Sequence, residues 1–114
     1  MASKKKIFTG DTFPLEVNLV DEEGYDVIPL DATVTVGLVA NRRSRDLLAG
    51  PWTASQATPG ANWNIGKVVV TVNGADTEGL DPQSALVEVQ VVTASSKISY
   101  QTKAWVTLTK ASLP

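Results

Sequence analysis

The sequence predicts an all-β fold, on three observations. Apolar residues recur with a period of two along five runs, Val and Thr dominate those runs, and polar or Gly-containing turns separate them. No stretch sustains an apolar stripe at helical spacing over three turns. The chain has 114 residues, 43% of them hydrophobic and 19% charged, which suits one domain with one modest core. The expected architecture is a single antiparallel β-sandwich, immunoglobulin-like or jelly-roll-like. It spans residues 10–114 and follows a flexible basic arm at residues 1–9.

The arm carries Lys4, Lys5 and Lys6, candidate partner-interface residues, since a basic arm can order on a neighbouring subunit. The sequence after it, Ile7 to Asp11, breaks well short of the roughly 7–15 apolar residues a signal peptide needs. A chain made in a cytoplasm and not exported by a signal peptide is therefore expected. No run approaches the roughly 18 apolar residues of a membrane-spanning helix, so no membrane partner is expected either. Phe13, Leu15, Val17 and Leu19 alternate with Pro14, Glu16 and Asn18, a strand with one wet face. Asp21 to Gly24 turns the chain, and Tyr25 to Leu30 reads as a short partner strand. Val34, Val36, Leu38 and Ala40 then alternate with Thr33, Thr35, Gly37 and Val39.

Residues 41–62, with Gly50, Pro51, Pro59 and Gly60, form the longest stretch without a clean strand. A loop of that length in a small domain is functional, mobile or partly paired at an edge. Between Trp63 and Val68 the inward parity slips by one at Gly66, which predicts a β-bulge. Val68, Val70 and Val72 make the next strand, closed by Asn73-Gly74. Residues 75–82 have room for one helical turn capped by Asp76 or Thr77. Val87, Val89 and Val91 follow, and Ala94 to Lys97 predicts a hairpin. The last strand places Ile98, Tyr100, Ala104, Val106 and Leu108 on one face.

Composition narrows the chemistry. With no Cys and no His, the chain has no thiol nucleophile, no imidazole acid–base group and no Cys/His zinc site. An enzyme is not expected, nor is a cofactor or metal. A net charge of −2 argues against a nucleic-acid partner. The carboxylates Asp21, Glu22, Glu23 and Asp26 around Gly24 have two readings. Hard cations want several oxygens from a short loop, but the spacing is not Asp-x-Asp-x-Asp-Gly, and an acidic turn kept in solvent is the expected reading.

Two further groups are candidate partner-interface residues. Arg42, Arg43 and Arg45 fall together in the long loop, where guanidinium groups bind carboxylates bidentately or simply form weak local ion pairs. The three tryptophans outnumber either of the other aromatic types. Trp52 lies in the long loop, Trp63 starts the strand after it, and Trp105 falls on the polar parity of the last strand. An outward indole anchors a protein interface or, with Trp52 and Trp63, a sugar platform. The other reading has the long loop covering that face, with Trp52 packed on Trp105.

Taken in order, several landmarks resemble a known family. They are Gly10-Asp11-Thr12-Phe13, the acidic turn at Gly24, Leu30-Asp31-Ala32-Thr33-Val34, Asp76-Thr77-Glu78-Gly79-Leu80-Asp81-Pro82, and Leu86 to Val92. The run resembles the small β-sandwich domain at the N-terminus of phage baseplate upper proteins and tail-fibre adaptors. It departs from them after Pro82, where Gln83-Ser84-Ala85 replaces the family's Gly-x-Tyr. The resemblance implies a virion structural protein in symmetric multi-copy assembly with other tail, baseplate or capsid proteins. A capsid decoration or head-fibre subunit is a close variant. A carbohydrate-binding module for host-surface glycans is the alternative from another class.

Overall fold

A computed structural model describes residues 5–20, 22, 27–41 and 46–110. Among these residues seven strands carry the fold: β1 Lys5–Thr9, β2 Phe13–Asn18, β3 Thr33–Val39, β4 Ala49–Thr53, β5 Lys67–Val72, β6 Gln83–Val92 and β7 Lys97–Lys110. One helical turn, α1 Gly74–Thr77, and a 3₁₀ turn at Trp63–Ile65 complete it. The all-β class is as the periodicity predicts. Five strands form a sheet in the order β1-β7-β6-β3-β4, and β2 pairs with β5 in a separate ribbon.

The inward rows of both sheets meet in one apolar cluster. Leu15, Val17 and Leu19 face it from β2 and its end, and Val68, Val70 and Val72 from β5. Val34, Val36, Leu38, Val87, Val89 and Val91 supply the central strands' share. All are at most 4% exposed. Each such side chain contributes on the order of 1.5–3 kcal/mol relative to full exposure, so these rows fix the register of every pair. The exposed Glu16–Lys67 pair at 3.4 Å lies on the wet face of the ribbon and contributes about 1 kcal/mol at most.

Several expectations are corrected. Residues Lys5 to Thr9 are not an arm. They form β1, which pairs parallel with Val106–Lys110 of β7, so the large sheet is mixed rather than wholly antiparallel. The cause is apolar burial: Ile7 sits beside Leu108, and both are 1% exposed. Met1 to Lys4 lie outside the described residues. The parity slip before Val68 is not a β-bulge but the 3₁₀ turn, ended by Gly66 at φ 74°, with Asn62 bridging Lys67. The long loop holds edge strand β4, where Pro51 removes no bond that a central strand would need. Of the short strand expected at Tyr25 to Leu30, Val27 to Leu30 form no strand, and Tyr25 and Asp26 lie outside the described residues.

The register of β6 on β7 shifts between Leu86 and Glu88, which pair with Trp105 and Gln101. At that shift the buried Thr102 hydroxyl donates to the Val87 carbonyl at 2.8 Å. A hydroxyl on the core side thus satisfies a backbone acceptor inside the irregularity.

Candidate functional site

Two sequence motifs lock together at one corner of the molecule. After β1 the chain turns through Gly10-Asp11-Thr12 into β2, and α1 packs on that turn. The Gly10 N–H donates to Thr77 Oγ1 at 3.0 Å, and the Gly74 N–H donates to Thr12 Oγ1 at 3.0 Å. Thr77 is fully buried and also donates to the Gly74 carbonyl. A Cβ on Gly74 would overlap the Gly10 carbonyl, so glycine is the only residue that permits this approach. Asn73 caps α1 through its side chain, which accepts from the Ala75 N–H at 3.0 Å. The cap falls there rather than on Asp76 or Thr77, because those two side chains bond across the corner instead.

Asp76 extends the corner to β4. Its Oδ2 accepts from the Trp52 indole Nε1 at 2.9 Å, and Trp52 is otherwise packed in the core opposite Val36. Beside this bond lies a groove of about 470 Å³. Thr12, Thr53, Thr58, Thr71, Asn73 and Asp76 line it, with Pro51 and the edge of Trp52 as its apolar wall. Sequence reasoning did not reach these residues as a group. They come from five separate segments, and only the pairing of β2 with β5 and the packing of α1 under β4 bring them together.

The second surface is the outer face of the five-stranded sheet. Its rows cross β3, β6 and β7 in register. Thr35, Gln90 and Ser99 form a polar row, and Gln90 donates to Ser99 at 3.4 Å. Val39, Leu86 and Trp105 form an apolar row at the other end. Between them Leu47 lies against Gly37, close enough that a Cβ there would meet one of its methyl groups at 2.7 Å.

The structure does not gather the predicted interface residues in one place. Trp52 and Trp63 are core residues, 7% and 5% exposed. Trp105 is half-buried on the opposite face of the sheet from Trp52. A three-tryptophan sugar platform is therefore not formed, and Trp52 does not pack on Trp105. The Trp63 indole N–H is the one buried side-chain polar group without a partner among the described residues. Lys6 is exposed on β1 beside Phe8, and Lys5 begins that strand. Lys4, Arg42, Arg43 and Arg45 lie outside the described residues, as do Asp21, Glu23 and Asp26 of the acidic turn. Among the described residues no group of acidic side chains is placed to hold a metal.

Compared with family models, with characterised proteins and with solved structures, the chain matches none of them.

Proposed function

We propose that the chain is a non-enzymatic structural subunit of a bacteriophage virion, an adaptor at the tail baseplate or tail fibre. It acts by burying surface patches against neighbouring virion proteins in symmetric copies, with no turnover. The virion assignment rests on the motif resemblance at residues 10–13, 30–34, 76–82 and 86–92. Its two-sheet arrangement, with a shared core, suits an attachment domain of the β-sandwich kind.

The observation that supports the interface part is Trp105, half-buried on the sheet face turned away from the core, at the end of a row whose Val39 and Leu86 are already buried within the chain. Half-buried tryptophan at the end of an apolar row is the composition of an interface anchor. Phe8 and Leu47 add large apolar side chains, 43% and 37% exposed. An antibody raised to the purified chain, gold-labelled and applied to particles assembled from its own genome, tests the assignment by electron microscopy. Label at the tail is the expected result. Label on the head moves the subunit to a decoration or head-fibre role, and unlabelled particles refute the virion reading.

A further inference from the structure

The groove beside Asp76 has a hydrogen-bonding inventory that the fold does not use. Asp76 spends Oδ2 on the Trp52 indole, and its other oxygen has no partner among the described residues. Asn73 accepts through Oδ1 at the helix cap, which leaves its two amide hydrogens to donate. The Thr12 hydroxyl accepts from Gly74 and retains its own hydrogen. The hydroxyls of Thr53, Thr58 and Thr71 make no hydrogen bond among the described residues. Acceptor, donors and amphoteric hydroxyls thus line one depression.

Charge and stoichiometry narrow what fits. Among the described residues no Lys or Arg lines the groove, so none of them offers a counter-charge to a phosphate, sulfate or carboxylate group there. One carboxylate falls far short of the roughly 6–8 oxygens that a calcium ion gathers. A neutral ligand that both donates and accepts matches the mixture of carboxylate, amide and hydroxyl groups in the lining. The exposed Pro51 ring and the Trp52 edge supply a C–H surface beside the polar groups. The volume lies in the range of roughly 300–1,000 Å³ usual for small-ligand sites.

We propose that this groove is a saccharide site, in which Asp76 and Asn73 take adjacent hydroxyls of a neutral sugar and Thr53 and Thr71 complete the contacts. The Trp52 indole N–H holds the Asp76 carboxylate in place, so the acceptor is oriented before the ligand arrives. The site does not depend on the virion assignment. On a multi-copy particle its shallow, weak single contacts would add through avidity.

The test is a titration of the ¹⁵N-labelled full chain with methyl glucoside, methyl galactoside, N-acetylglucosamine and rhamnose, followed by amide and indole NMR signals. At least one sugar is expected to shift the Trp52 indole signal and the Thr53, Thr71 and Asn73 signals saturably. The indole signals of Trp63 and Trp105 stay fixed. Asp76→Asn keeps an oxygen for Trp52 but turns the free acceptor into a donor, and should weaken binding about tenfold or more. Thr71→Val removes one exposed hydroxyl and should weaken it about threefold to tenfold. Thr53→Val serves in its place if Asp76→Asn loses the dispersed spectrum of the folded chain. Silence across the panel, shifts confined to the Trp105 face, or wild-type affinity in the folded variants overturns the proposal.

Discussion

The inner and outer faces of the five-stranded sheet are built from alternate residues of the same strands, yet only one of them obeys the alternation throughout. On the inner face every row from Val34–Val91 to Leu38–Val87 is apolar and buried. The outer face begins polar at Thr35–Gln90–Ser99 and ends apolar at Val39–Leu86–Trp105, where Val39 and Leu86 are as inaccessible as any core residue. Period two therefore identifies which residues share a face, but not where along that face the solvent stops. The apolar end of the outer face is closed within the chain, with Trp105 half-buried at its margin.

Substitutions can break this comparison, and the largest effect falls at the corner that joins the two sheets. Gly74→Ala drives a methyl group into the Gly10 backbone, which cannot yield as a flexible side chain would, and should cost about 3 kcal/mol or more in denaturant unfolding. Leu38→Ala on the inner face and Leu86→Ala on the outer face should each cost about 2–5 kcal/mol, because both side chains are fully buried. A cost under about 1 kcal/mol at Leu86 alone would show that the outer row is loosely packed in solution.

Asp76→Ala strands the buried Trp52 indole N–H and should cost about 1–3 kcal/mol, with Asp76→Asn recovering most of it. Equal losses in the two variants would mean that the indole bond contributes nothing. The smallest effect is expected at the exposed Glu16–Lys67 pair. Glu16→Ala should change stability by less than about 1 kcal/mol, and still less at high salt.

Much of the fold was legible because burial on one face writes itself into period two. The runs at Phe13–Leu19, Thr33–Val39, Val68–Val72, Val87–Val91 and Ile98–Leu108 all became strands. Misreadings arose where something other than alternation decides. Lys5–Thr9 looks like an arm because the burial of Ile7 and Thr9 depends on β7, about a hundred residues away. Gly66 marks a change of direction, but a bulge and a 3₁₀ turn both use a left-handed glycine, so the residue alone cannot separate them. Trp52 reads as a loop aromatic until β4 pairs with β3 and turns its ring inward.

The candidate sites were less legible for a related reason. Parity alone puts Trp105 on the outward face, where the structure also has it, since its strand is continuous with the hairpin before it. The groove is not legible in the same way, because threonine and asparagine carry no sequence signal of convergence. Its single local clue was the Asn73-Gly74-Ala75-Asp76-Thr77 turn, whose side chains serve the cap, the β1–β2 corner and Trp52.

The central claim is that the outer sheet face, and not the tryptophans as a set, meets the neighbouring subunits. Hydroxyl-radical footprinting of the three tryptophans, read by mass spectrometry in the free chain and in assembled particles, tests it most directly. Trp105 should oxidise readily in the free chain and become protected in the particle, while the core residues Trp52 and Trp63 react slowly in both. Equal oxidation of Trp105 in the two states would contradict the account.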